Sequence, residues 1–504
     1  MPSLLRVDGP VPLATPSPHY SFRVRPVGSS QWQTPFAFLT RCEGANSANT
    51  RYFSHLADWS NTYINFEMSR SEPVEVEIAR VNGAPIMTAA AHPSRKAKGV
   101  QVLANGKVRL VISRPSQITV DIDGQMDQQD TGLGYSGPPI HTLTIFANPI
   151  LEDRPDPTDP GVFAVAPGQL APSTGPWHTL YFLPGVHDIG LAFPLHADRS
   201  YYIPGNAIVH GTMNNHGNWN DGHDIRIFGY GTLSGERYPH PEDAVPPAPP
   251  SDHSLYRPIQ IVGPRDTRVE GITIADSPHH SLMLIGPRES GDPTLVRWVK
   301  IFTWRANGDG INPFGNVRIE DSFIRAQDDC VYVNGRGMRG LTFWNDANGS
   351  TFVLSSVGFV GDRKLVIEAC DVLYARAFWH HWGGGRLFNM RGEGSGAGGG
   401  SIVFRKIRVE DPRPTLQHFM IAMQGVSPWS NPNTQRGPGE LSGVLFQNIE
   451  IAAPSVLGQP DVLWGAPGAE IRGLVFDRVR IAGQPVLGLS HFQHNSHVSN
   501  CIFR

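Results

Sequence analysis

Residues 299–335 read VKIFTWRANGDGINPFGNVRIEDSFIRAQDDCVYVNG, and their pattern decides the fold. Short apolar runs are cut by turn residues, and one cassette occurs twice: an apolar residue, a second three positions on, a third two beyond that. It runs Ile301, Trp304, Ala306 and then Ile319, Ser322, Ile324. Outward from this stretch it occurs again at Val269/Ile272/Ile274, Ile367/Cys370/Val372, Phe404/Ile407/Val409, Phe446/Ile449/Ile451 and Phe476/Val479/Ile481. First members are spaced by 32, 18, 48, 37, 42 and 30 residues, and the 48-residue gap halves if Phe343 opens a weaker copy. A constant cassette at variable spacing means coils with similar cores and different loops. Such a coil cannot bury its apolar face alone and stacks on the next. The absence of helical segments disfavours a leucine-rich repeat, and an 18-residue unit cannot hold the four strands of a propeller blade. The pattern predicts a right-handed parallel β-helix from about Trp177 onward.

Composition agrees. Gly 54 and Pro 44 make roughly a fifth of the 504 residues, against about 12% on average. Many turns between short apolar runs mean β structure, and the chain reads as all-β. A formal charge of −3 leaves no electrostatic footprint for nucleic acid or an anionic membrane. Cys42, Cys330, Cys370 and Cys501 are widely scattered and lack metal-ligand spacing, so they read as buried small hydrophobes or at most one bridge. The start, MPSLLRVDGPVPLATP, lacks the basic and apolar regions of a leader, and no stretch is apolar for long enough to span a bilayer. A soluble chain is expected, secreted or periplasmic if a leader has been removed and cytoplasmic otherwise.

Before the repeat, alternation marks a different architecture. Val74–Ile78, Val108–Ile112, Ile118–Ile122 and Leu143–Phe146 alternate or run apolar between turns such as Asn105-Gly106 and Asp123-Gly124. Such strands fit an N-terminal antiparallel β-sandwich over 1–165, ahead of a β-helix over 166–504. The Pro- and Gly-rich residues 151–175 read as a linker, and Pro239 to Pro250 as a surface loop.

Three aspartates carry the chemistry. Asp309 lies eight positions after Ile301, and Asp328 and Asp329 lie nine and ten after Ile319, nearly the same angular position on successive coils. Adjacent strands are about 4.8 Å apart, so the carboxyls should cluster on one outer face. Either motif alone is an ordinary turn or a solvated surface pair; the shared register is what sets the combination apart. Glycosidic hydrolysis needs one protonated acid for the leaving oxygen and one carboxylate to deprotonate water. Clustered aspartates could also hold calcium, but no further ligand carboxylates accompany them.

At these residues the sequence resembles the polygalacturonase-like clan of β-helical hydrolases, which includes the polygalacturonases (family 28) and the dextranase/isopullulanase group (family 49). NGDGIN resembles the clan's N-x-D-G motif and QDDC its D-D motif. Upstream, Ile274-Ala-Asp-Ser-Pro-His-His-Ser281 is similar to the segment where an S-P pair introduces an aromatic or His, and Ile227–Glu236 to the G-x-G-x-L-S-G coil. The G-H-G and R-I-K motifs of polygalacturonases are missing, and Phe343–Gly358 is closer to the dextranase-like enzymes, which also carry a β-sandwich before the helix. The resemblance implies a glycoside hydrolase that inverts the anomeric carbon, with Asp328 as general acid and Asp309 and Asp329 positioning and deprotonating the water. A dextran- or pullulan-like α-glucan is the favoured substrate, and neither cofactor nor metal is expected.

Around the acids, Asn307 and Gln327 are expected to orient carboxylates, and Asn334 and Asn345 to bind hydroxyls. His280 is expected to face the cleft. Trp379, His381, Trp382 and Arg386, one coil beyond Ile367, fall where sugar-stacking groups would sit. The histidine pairs 279–280 and 380–381 lack the helical spacing of a zinc site. Trp304 reads as structural. Two other functions compete: a non-catalytic glycan-binding β-helix of adhesin or tailspike type, and a calcium-dependent lyase of pectate-lyase type.

Overall fold

The computed structural model describes residues 5–41, 59–127, 141–286, 292–346, 348–354, 364–376, 386–390, 401–414, 417–422, 441–455 and 458–504. Trp379, His381, Trp382 and Cys42 lie outside them. Cys330 and Cys370 are buried, Cys501 is half-buried, and all three are free thiols.

The N-terminal region is a sandwich of two sheets. Tyr20–Pro26, Val74–Arg80, Val108–Ile112 and Ala97–Val102 form one. Its alternation turns Val74, Val76 and Ile78 inward beside Val108, Leu110 and Ile112. The other orders Leu5–Arg6, Ser60–Met68, His141–Pro149, Ser116–Ile122 and Ala89–His92, with Ala37–Arg41 also on Ser60–Met68. Pairing is antiparallel in both sheets except between Ser60–Met68 and His141–Pro149, which run parallel. The chain between those two strands passes through the opposite sheet before returning, the long crossover that parallel neighbours require.

From Val162 the strands form one continuous assembly, pairing in parallel with their counterparts one coil on except for Gln484–Pro485, which runs antiparallel to Val475–Ile481, and for Ile471–Arg472 and Val498–Ser499, which form a small parallel pair of their own. Strand Val162–Val165 pairs with Thr179–Phe182. The solenoid sheet therefore begins inside the stretch expected to be a linker. Pro241–Asp243 and Pro250–Tyr256, in and just beyond the expected surface loop, are short 3-10 helices.

The register corrects the cassette in the central coil. Val296 pairs with Val269 and with Ile319, whereas Ile301 pairs with Ile274 and Ile324. The members are thus Val296, Val299 and Ile301, and Ile301 is third, not first. Likewise Met338 opens the weaker copy and Phe343 closes it. Backbone conformation explains the spacing. Each cassette holds one residue in the left-handed region immediately before its middle member: Gly271, Trp298, Asp321, Gly340, Ala369, Lys406, Asn448 and Arg478. That residue breaks the period of two, so inward-facing side chains fall three apart and then two. The interior is filled by these members, with Phe404, Phe446, Phe476 and Phe503 stacked coil upon coil at 5.1–5.2 Å between ring centres.

In the central coils the second strand is covered on its outer face too. Phe302, Trp304, Phe323, Trp344 and Tyr374 pack against Phe38, Trp59, Tyr63 and Phe146 of the sandwich. Trp304 is structural, as expected, but it belongs to this junction and not to the solenoid interior.

Candidate active site

The aspartates lie in the turns that leave this covered sheet and enter the third strand of each coil. Asp309 precedes Ile311–Phe314, and Asp328–Asp329 precede Val331–Tyr332. Register is set by the strands that follow: Leu282 pairs with Ile311, Ile311 with Val331, Val331 with Phe352, and Phe352 with Phe388. The residues two positions earlier form a column: His280, Asp309, Asp329, Ser350, Arg386. Main-chain bonds tie it together, Ser281 N to Asp309 O at 2.8 Å and Gly310 N to Asp329 O at 2.8 Å. Asp309 therefore stacks one coil from Asp329, about 4.8 Å in backbone spacing, with Asp328 beside it. The stacking was expected, but counting forward from Ile301 was the wrong route to it. The loop before Asp309 is longer than the one before Asp329, and this offset compensates for the misplaced cassette. Close approach explains the glycine after Asp309: a Cβ at Gly310 would lie 2.3 Å from the Cys330 carbonyl oxygen.

Each carboxylate is held. Asp328 Oδ1 accepts from the Asp329 N–H at 2.9 Å, and its Oδ2 from Asn348 Nδ2 at 2.7 Å. Asp329 Oδ1 accepts from the Ser350 N–H at 2.7 Å, and its Oδ2 from the Tyr332 hydroxyl at 3.0 Å. Asp309 Oδ2 lies 3.2 Å from His280 Nδ1, which is also 2.9 Å from Asn312 Nδ2. Burial pushes the His280 imidazole down to about 3, with Arg257 and His240 adding to the shift. The ring is thus neutral at ordinary pH, and its Nδ1 either accepts from the Asn312 amide or donates to Asp309, according to the tautomer. The rings of His279 and His280 stack at 4.4 Å, and His240 and His253 close on His279 at 5.7 and 5.5 Å. Arg257, two positions before Ile259–Val262, extends the column by one coil and acts electrostatically on Asp309.

The remaining expected residues divide. Arg386 is buried in the column, beside Ser350 on the next coil. Asn345 is buried and donates its amide to the carbonyl oxygens of Asp328 and Asn348, both at 2.9 Å, so it shapes the aspartate turn from beneath and presents no free amide to a sugar. Asn307, exposed and in the left-handed region, bonds the His240 side chain and not a carboxylate. Gln327 is fully buried, and its amide has no hydrogen bond among the described residues, so it is not seen orienting an acid. Asn334 is buried beyond the third strand, away from the turn. Asn348, Tyr332, Asn312 and Arg257 were missed. Counting back two residues from every third strand would have found Arg257, and the second residue of the third strand gives Asn312 and Tyr332; Asn348 is set by loop shape.

Among the described residues, a His/Asp/Glu/Cys grouping able to seat a cation occurs at Asp198, His223 and Asp224, on earlier coils, and not at the three aspartates. No described helix is long and apolar enough to cross a membrane.

No family model matches the chain. It is 24% identical over 244 residues to a dextranase of Arthrobacter sp. (strain CB-8), covering 42% of this chain and 37% of that protein. It is 27% identical over 207 residues to a protein named probable exopolygalacturonase B of Emericella nidulans, covering 38% and 45%. Dex49A from Penicillium minioluteum superposes with a TM-score of 0.68 at 16% identity, over 99% of this chain and 96% of that one. The chain is thus similar in sequence to a dextranase and to a protein named probable exopolygalacturonase, each over less than half of its length. The likeness to Dex49A is one of fold, sandwich and solenoid together. The clan's N-x-D-G and D-D motifs fall on the two stacked turns at Asp309 and at Asp328–Asp329. The matched segment spans little more than a third of the dextranase's length.

Proposed function

We propose that the chain hydrolyses a neutral α-glucan of the dextran or pullulan type with inversion at the anomeric carbon. The observation that carries this reading is the column in which Asp309 stacks on Asp329 with Asp328 alongside, the Asp328 and Asp329 carboxylates each fixed by two named donors and Asp309 set against His280. Inverting hydrolysis needs an acid on the leaving oxygen and a base across a water. Asp328 is the most accessible of the three, at 8% exposure against 3% for Asp309 and 2% for Asp329, which suits a proton donor that must reach the glycosidic oxygen. Asp309 and Asp329, deeper and held by His280, Tyr332 and Ser350, suit the water-binding pair. Arg386 and Arg257 stand at the two ends of the column as sugar-hydroxyl ligands. The dextranase's name supports the glucan, and the name probable exopolygalacturonase B does not; the site itself supports the acid–base pair.

A reducing-sugar assay on dextran and pullulan, with the product anomer followed by NMR, tests substrate and stereochemistry together. Asp328→Asn should lower kcat by about 10²–10⁴-fold, the usual share of general acid–base catalysis, with thermal unfolding unchanged. Near-normal turnover in that variant, or a retained anomer, would refute the assignment. A glycan-binding protein without catalysis would yield no reducing ends at all, and a lyase would yield unsaturated ones.

A further inference from the structure

Every cassette places one residue in the left-handed region at the turn between its first two strands, and in the central coil that residue is Trp298, with φ +56°. Neighbouring coils use Gly271, Asp321 and Gly340 there. For an L residue with a bulky side chain this conformation costs roughly 1–2 kcal/mol. The cassette imposes this conformation on every coil, Ala369, Lys406 and Arg478 included, so what sets Trp298 apart is its side chain and not its backbone. The indole is half-exposed and joins none of the buried clusters. It lines instead a cavity of about 940 Å³ between the turn and the sandwich, well within the size range of small-molecule sites.

The other walls have a distinctive chemistry. Arg6, Arg70 and Arg297 face the cavity together with Glu152, Asp153 and Glu270, so its formal charges balance; Glu270 is already paired with Arg226 and Arg297, and Asp153 with Arg226, which leaves Arg6, Arg70 and Glu152 to meet a ligand. Balanced forks of donors and acceptors beside an aromatic face do not select an anion or a cation. They match a ligand with an apolar ring face and a rim of hydroxyls, which stacks on indole and bonds guanidinium and carboxylate in pairs. We propose that this cavity is a second carbohydrate site that seats a short run of neutral pyranose units, apart from the candidate active site. Trp298 stands just before strand Lys300–Phe302, whereas the aspartate turn begins after it, and the sandwich packs over the strand between. The cavity is therefore no continuation of the catalytic column, and it tethers polymer without taking part in cleavage. The inference rests on the proposed function only in assuming a polysaccharide partner.

Affinity electrophoresis of the full chain in gels containing dextran, pullulan, xylan or mannan tests the site. Wild type should be retarded by at least one polymer, and Asp328→Asn should be retarded equally. Trp298→Gly and Arg70→Ala should each weaken that retardation at least fivefold, with kcat on a short oligosaccharide unchanged. Trp298→Gly should also unfold at a higher temperature than wild type, because glycine relieves the backbone strain and the loss of binding then cannot reflect misfolding. Equal retardation of wild type and both variants, or no retardation by any polymer, would overturn the site. Failure of the hydrolytic reading registers separately, as unchanged turnover in Asp328→Asn.

Discussion

Asp461 shows what neighbours do to a buried carboxylate in this solenoid. It lies further along the third-strand ladder, fully enclosed, and burial alone would raise its pKa. Hydrogen bonds reverse the sign. The N–H groups of His418 and Phe419 donate to Oδ1 at 2.7 and 2.9 Å, and His491 Nε2 lies 2.8 Å from Oδ2. With the His418 and His491 side chains nearby, the result is a pKa of about 2, below the ordinary 3.8. A depressed acid stabilises the fold above its unfolded value and loses that contribution as pH falls through its folded one. The contribution is about 2 kcal/mol, complete above pH ~4 and fading toward pH ~2. The urea midpoint of the wild type should therefore drop across that window. Asp461→Asn should start lower at pH 5 and show a shallower decline, and parallel curves for the two proteins would contradict the assignment. His280 behaves oppositely: depressed to about 3, it stays neutral through the working range. No limb of a pH–rate profile between 5 and 8 should move in its absence.

At the scale of a turn, the aspartate pair depends on the coil stacked upon it. Gly349 has φ +68°, and a Cβ there would lie 2.2 Å from Asp329 N and 2.4 Å from the Asp328 carbonyl carbon. Backbone cannot yield as a side chain would. Gly349→Ala should destabilise by on the order of 3 kcal/mol, combining overpacking with left-handed strain. It should also lower kcat by roughly 10²-fold, since misplacement of about 1 Å is enough. Thermal unfolding and turnover on the same preparation check both, and unchanged turnover would mean that the turn is not held from that side. This element level is also where the sequence was most and least informative. The coil repeat was visible because apolar residues at three-then-two spacing survive whatever occupies the turn. Its phase was misread because Trp304 and Ala306 imitate second and third members, yet they face the sandwich, and nothing local distinguishes two apolar environments. The D-G and D-D turns were legible because strand stacking carries nearby residues into one column. Asn348 was not, since its contact depends on how a loop folds back and not on a period.

For the whole molecule, the covered sheet is the element that binds sandwich to solenoid. Its burial on both faces explains the legibility of the sandwich. Val74–Arg80 has one wet face and alternates visibly, whereas all nine residues of Ser60–Met68 are buried, with Ile64 and Phe66 toward one core and Tyr63 toward the other. A strand between two cores loses its period-two signature. The junction also encloses charge. The Arg325 guanidinium lies 4.4 and 4.5 Å from the Trp304 and Trp344 rings, donates to Thr142 of the sandwich, and pairs with Asp346 at 2.9 Å. Asp346 in turn accepts from the Trp344 indole, and Asn345 beside it braces the Asp328 turn. Removing one partner strands a buried charge, so Arg325→Met should cost about 3–5 kcal/mol. Adding Asp346→Asn removes the stranded carboxylate while keeping an acceptor for Trp344, and most of that loss should return. Because the pair adjoins the Asp328 turn, kcat should fall with the single variant and recover in the double. If the double variant is as unstable as the single, packing of the aromatic cage, and not the enclosed charge, is what the junction depends on.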